Sequence, residues 1–191
     1  MNALMVARMI KASRTAVVVA IMLLLSSATF HAHAFRDDVT DVINQYVPDA
    51  ELVGECRVNY LFFKIYDAAL FAPAGDWETG KPFALTLSYL RDIPGDVIVA
   101  RTLTEMRKQG FSDETALGRW REQLSHIIPD VSRETTLTGI ADEQGHTVFL
   151  TGNEEIGRVQ DPAFTEQFFA IWMGANSSRP DLRDQLLGRP G

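Results

Sequence analysis

Cysteine is nearly missing from this chain: Cys56 stands alone among 191 residues. A single thiol closes no internal disulfide, so packing must hold the fold, and a lone cysteine among apolar neighbours behaves as a small buried hydrophobe. Histidine is almost as scarce. Beyond residue 34 only His126 and His146 occur, and neither has a second His or Cys at ligand spacing, so no metal is expected. No Gly-x-Ser-x-Gly elbow and no phosphate-cradling glycine loop after a strand is found, which removes the common nucleophile and nucleotide motifs; no cofactor is expected either. Cations are short as well, 18 Lys and Arg against 25 Asp and Glu, for a net charge of −7. A chain so acidic lacks the broad basic face that nucleic acid or an anionic membrane surface requires.

Long apolar runs are confined to the beginning. Thr15 to Leu25 is too short to span a bilayer comfortably; it follows Arg8, Lys11 and Arg14 and precedes the small-x-small site Ala32-His33-Ala34. That order predicts a secretory signal peptide over residues 1–34, cleaved after Ala34, with one domain over 35–191 and a periplasmic or secreted location. No cysteine stands at the cleavage site, so no lipid anchor is expected, nor a stable membrane anchor after cleavage. Cleavage leaves 191 − 34 = 157 residues, enough for one domain with a core, and takes three cations with it, moving the charge from −7 to −10.

In the mature chain, Val39 to Tyr46 predicts a short helix ended by Pro48. Leu52–Tyr60, Leu61–Pro73 and Phe83–Leu90 are rich in β-branched and aromatic residues and predict strands. Helices follow. Val99, Leu103 and Met106 share one face of a helix from Pro94 to Lys108; a second, capped by Ser112, carries Leu117, Trp120, Leu124, Ile127 and Ile128. Thr135–Ile140, Thr147–Leu150 and Glu155–Val159 predict short strands separated by turns. Asp161 then caps a helix with Pro162 at its first position; Phe164, Phe168, Ile171 and Trp172 fall on one face, and Gly174 stops it. A last short helix runs from Pro180 towards Gly188 with Leu182 and Leu186 one turn apart, and Asn176-Ser177-Ser178 supplies its capping groups. Strands, two helices, strands and two helices predict an α+β domain: a mostly antiparallel sheet with helices layered on it.

The candidate chemistry is a set of polar groups on otherwise apolar strands: Arg57, Tyr66, Thr86, Tyr89 and Arg91. An arginine on a core-facing strand must be paired or must face a cavity, because burying an unpaired charge costs several kcal/mol. A pocket for a small anion would meet that need, with Arg57 or Arg91 as its cation; outward-pointing arginines are the alternative.

Four stretches in order, Gly54-Glu55-Cys56-Arg57, Phe62 to Phe71, Tyr89 to Ile93 and Phe164 to Gly188, resemble the chalcone isomerase-like superfamily, in particular its exported bacterial branch. The resemblance implies a large antiparallel sheet, an open-faced sandwich with helices on one face and a ligand cleft between the layers. That superfamily includes plant enzymes that close a chalcone into a flavanone, and non-enzymatic members that hold fatty acids in the same cleft. By resemblance Arg57 takes the place of the enzymes' strand arginine and Tyr66 that of their strand threonine. Their helix tyrosine has no counterpart, since no tyrosine follows Tyr89, and Ile171 stands at their late-helix hydroxyl. Three readings follow. The first is a non-catalytic domain binding a small apolar acid, such as a fatty acid, through Arg57, Tyr66, Tyr89 and Arg91, with Phe62, Trp120 and Trp172 among its apolar walls. The second is an isomerase or intramolecular lyase with Tyr66 or Tyr89 as acid; the third is an interaction module without ligand.

Overall fold

Six strands lie side by side in sequence order, β1 (Ala50–Tyr60), β2 (Phe63–Pro73), β3 (Phe83–Tyr89), β4 (Thr136–Ala141), β5 (Thr147–Thr151) and β6 (Glu154–Val159), every neighbour antiparallel. This structure, a computed structural model, describes residues 40–189. The signal-peptide assignment to residues 1–34 lies outside the described residues. A single helical turn over 40–43 leads in, and its side chain Ile43 and the following Val47 are fully buried.

The first two strands are long, eleven residues each, and form a hairpin whose tip is Leu61 and Phe62. The sequence suggested a strand from Leu61; closing a hairpin instead takes those two residues into the turn, and Leu61 adopts a positive φ of 54°. Two helices, α1 (Gly95–Lys108) and α2 (Glu114–Ile127), are inserted between β3 and β4. Another pair, α3 (Pro162–Met173) and α4 (Pro180–Leu186), follows β6. The α2 cap is Asp113 and not Ser112: its carboxylate accepts from the backbone N–H groups of Thr115 and Ala116, both at 3.0 Å. Asp161 caps α3 as expected, accepting from Ala163 N at 3.0 Å, with Pro162 at the first turn. At α4 the cap residue is Arg179, whose N–H donates to Ser177 Oγ at 3.3 Å, so the serine contributes from two residues upstream.

Strand alternation sets which side chains meet the helices. Cys56 on β1, Ala68, Leu70 and Ala72 on β2, Leu85 and Leu87 on β3, and Phe149 on β5 join α1 to α4 in one core. Gly139 in the middle of β4 makes room for the late helix. A Cβ there would meet the rings of Phe168 and Phe169 at 3.3 and 3.4 Å, and those rings stack edge to face at 5.0 Å. Phe164 stacks on Phe168 at 5.3 Å and meets Trp120 at 5.5 Å, so the aromatic face of α3 also binds α2. No described helix is long and apolar enough to cross a membrane.

Candidate functional site

Between the sheet and its helices lies a cavity of about 670 Å³, a volume suited to a small organic ligand. Its depth is apolar: Leu85, Leu87 and Leu137 from the strands face Leu124, Phe168 and Leu186 from the helices. The exposed members of the lining, Asn59, Tyr60, Val97, Arg101, Lys108, Ser178 and Arg179, mark where it opens to solvent.

Tyr66 and Tyr89 stand side by side in the wall. They are direct partners across β2 and β3, and their rings meet edge to face with centroids 5.6 Å apart. The Tyr66 hydroxyl accepts from Trp172 Nε1 at 3.0 Å, which ties β2 to α3. Burial pushes the Tyr66 phenol up to about 12, although the Trp172 N–H works the other way. Tyr89 is 3% exposed, and burial followed by the neighbouring Tyr66 raises its phenol as well. Its hydroxyl has no hydrogen-bond partner among the described residues, and because burial raises both groups, both phenols remain neutral donors at ordinary pH. Cys56 lies on the same face, and burial pushes its thiol up to about 11, which makes it an inert packing group.

The cations of the site come from helices and loops. Arg101 and Lys108 on α1 both engage Glu105 Oε1, at 2.7 and 3.0 Å, and Ser178 Oγ donates to Glu105 Oε2 at 2.9 Å. Burial alone would raise the Glu105 carboxyl, which is 5% exposed; the bonds from Lys108 and Ser178 and the charge of Arg101 outweigh it and hold the group below its ordinary range. Two cations around one carboxylate leave a positive surplus at the opening. The guanidinium of Arg101 spends one nitrogen on Glu105 and keeps further donors for an incoming anion. Arg179 also lines the opening, but its Nε and Nη2 are held by Asp181 at 3.2 and 3.0 Å and its Nη1 reaches Asn59 O at 3.4 Å.

The structure therefore brings together Tyr66 and Tyr89 of the four expected ligand residues, and moves the two arginines away. Cys56 and Val58 pack with the core, so alternation turns Arg57 to the opposite face of β1. There it pairs with its cross-strand partner Asp67 through two bonds of 2.6 and 2.8 Å. Arg91 lies past the end of β3 and rests over the Phe63 ring at 4.3 Å from its centroid. Thr86, also on the far face, bonds Thr138 Oγ1 at 3.1 Å. Of the expected walls, Trp172 lines the cavity, Phe62 is 98% exposed at the hairpin tip, and Trp120 is buried elsewhere, donating to Asp161 Oδ2 at 2.9 Å. Sequence reasoning missed Arg101, Glu105 and Lys108. Their signal was a second face of α1: Ile98, Arg101, Thr102, Glu105 and Lys108 recur at intervals of three and four beside the core stripe of Val99, Leu103 and Met106.

An antiparallel sheet of six strands, roofed on one face by two helix pairs over an apolar cavity, defines an open-faced α+β fold of the ligand-cleft kind. The sequence profile of chalcone isomerase-like proteins matches residues 52–188, and the chain belongs to that family. Among solved structures it is similar to the fatty-acid binding protein AtFAP1 of Arabidopsis thaliana, with a TM-score of 0.58 and 11% identity over 74% of this chain and 88% of that one. At that identity the likeness is one of fold. No curated protein sequence matches this one.

Proposed function

We propose that this protein is an exported, non-catalytic chalcone isomerase-like domain that holds an apolar carboxylic acid, a fatty acid by class, in the cavity beneath its helices. The observation that carries the reading is the cavity itself, apolar in depth with a cationic, phenolic opening. The fatty-acid binding of the Arabidopsis structural neighbour supports the same reading. In this arrangement the chain fills the space lined by Leu85, Leu137 and Phe168, and the carboxylate stays at the opening, met by Arg101 with a phenol of Tyr66 or Tyr89.

Magnitudes divide the labour. Each buried methylene contributes about 0.8 kcal/mol, so ten of them dominate any single polar contact. Arg101 is more than half exposed, which discounts its ion pair to about 1 kcal/mol, roughly fivefold in affinity. The chain sets affinity and the arginine sets direction. The test is a displacement titration of a fluorescent fatty acid by unlabelled acids of increasing length. Affinity should rise about fourfold per methylene until the cavity is full. Arg101→Ala should weaken binding about fivefold, and Arg57→Ala should leave it unchanged. Affinity independent of chain length, or no binding, defeats the reading. Export is checked separately by the intact mass of the secreted fraction, expected to begin at Phe35.

A further inference from the structure

Among the described residues six large apolar side chains are exposed, and all but Leu52 sit at one end of the molecule. Tyr60, Leu61, Phe62 and Phe63 are consecutive at the β1–β2 tip, 62%, 75%, 98% and 54% exposed; Val97 is the fifth. Tyr60 and Val97 also line the cavity, so this patch and the cavity opening are continuous. Leu61 holds a left-handed φ of 54° that glycine or asparagine would adopt at lower cost. The turn thus keeps a large apolar side chain against its backbone preference.

Cations slightly outnumber acids beside the tip: Lys64, Arg91 and Arg133 stand against Asp92, which accepts from Arg133 N at 3.1 Å, and Glu134. Lys64, Arg91 and Arg133 make no ion pair among the described residues. Arg91 covers Phe63, and it shares a shallow notch with Arg133 and Asp92. Backbone bonds hold these groups together: Leu90 N donates to Ile65 O at 2.9 Å, and Glu134 N to Tyr89 O at 2.9 Å. The net charge of −7, which argued against an anionic surface, is an average over the chain; beside the tip three cations stand against two acids.

We propose that the hairpin tip docks on an anionic lipid bilayer, placing Leu61, Phe62 and Phe63 among the acyl boundary and headgroups while Lys64, Arg91 and Arg133 meet lipid phosphates. A protruding tip of four apolar residues is too small for a stable protein interface, which needs roughly 800 Å² per partner. It has the aromatic and basic make-up of an interfacial anchor. Docking would set the cavity opening against the membrane, so that an apolar acid moves between bilayer and cavity without crossing water. That last consequence rests on the fatty-acid reading; the docking rests on the tip and its cations.

The experiment uses vesicles of phosphatidylglycerol and phosphatidylcholine, and vesicles of phosphatidylcholine alone. A tryptophan placed at the tip by Phe62→Trp should shift its emission to the blue with the anionic vesicles, and less so with the neutral ones or at about 0.5 M salt. In sedimentation, Leu61→Asp with Phe62→Asp should lower partitioning about tenfold or more relative to the parent. An unshifted emission, a parent that does not partition, or a variant that partitions equally overturns the proposal. So does a concentration-dependent dimer abolished by the same substitutions, which would assign the tip to a second copy. Fatty-acid titration without vesicles separates the two readings. Acid bound equally by parent and variant without vesicle binding ends the docking proposal alone. Vesicle docking without acid uptake upholds the docking and ends the ligand reading.

Discussion

Tyr66, Tyr89 and Cys56 share one inner face of β1 to β3, and burial is the largest cause of the raised titration of all three. Below their ordinary values of 9.0 for the thiol and 10.0 for the phenols, both folded and unfolded chains keep the protons, and the stability linked to them is fully present. Between those values and about 11 for Cys56 or about 12 for Tyr66, the unfolded chain releases protons that the folded one retains. Stability therefore falls as pH rises, by on the order of 1.4 kcal/mol per group per pH unit. Urea midpoints measured from about pH 8 to 11 should begin to decline near pH 9, and Cys56→Ala should postpone the decline by about one unit. A flat profile would mean that the three groups are solvated in the folded state. These residues were legible as polar or soft groups on apolar strands; the orientation of their neighbour Arg57 was not. A strand has two phases, and irregular pairing between Leu52 and Gly54 and between Val58 and Asn59 breaks the count, so the sequence alone did not select the face. Arg101 escaped for a different reason: charges spaced along an exposed helix read as a solvated stripe unless the cavity beneath them is known.

Elements were read more fully than sites, because their signals are local. Caps, prolines and apolar spacing placed all four helices after β3 with errors of one or two residues, as at Asp113, and the Leu61 turn cost the second strand two; the leading helix, expected to reach Tyr46, is a single turn that ends at residue 43. What remained hidden was how elements dock. The β1 backbone at Gly54 lies directly under α4: a Cβ there would meet Leu186 O at 2.7 Å and Gln185 O closer still. Backbone oxygens cannot rotate away, so the helix would have to lift. Gly54→Ala should then destabilise the fold by about 1 to 3 kcal/mol through this overpacking, against the slight gain expected from removing a glycine in a strand. The helix carries Leu182 and Leu186 into the cavity wall, so the same substitution should weaken fatty-acid binding while Gly118→Ala on α2, with open space around it and an ordinary helical φ, leaves binding unchanged. Equal binding by the Gly54 variant would show that α4 is not needed to close the cavity.

At the scale of the whole molecule, family and fold place a cleft but do not supply a reaction. Chalcone cyclisation needs a phenolate steered to an enone, with cations and hydroxyls fixed where charge develops; one lost donor of that kind costs roughly a hundredfold or more in rate. The positions that the resemblance assigns to those groups are filled otherwise here. Arg57 is committed to Asp67 on the far face of the sheet, Ile171 lines the cavity where a hydroxyl would stand, and no tyrosine follows Tyr89 to come from a later helix. Tyr66 and Tyr89 remain as donors, yet their phenols are pushed up by burial, so neither supplies a base near neutral pH. The losses act on one transition state and compound one another. Hydroxychalcone absorbance followed with and without protein should decay at the spontaneous rate. Decay proportional to protein concentration, and abolished by unfolding it, would return the cavity to the enzymes of the family and make Tyr66 and Tyr89 the first residues to replace with phenylalanine.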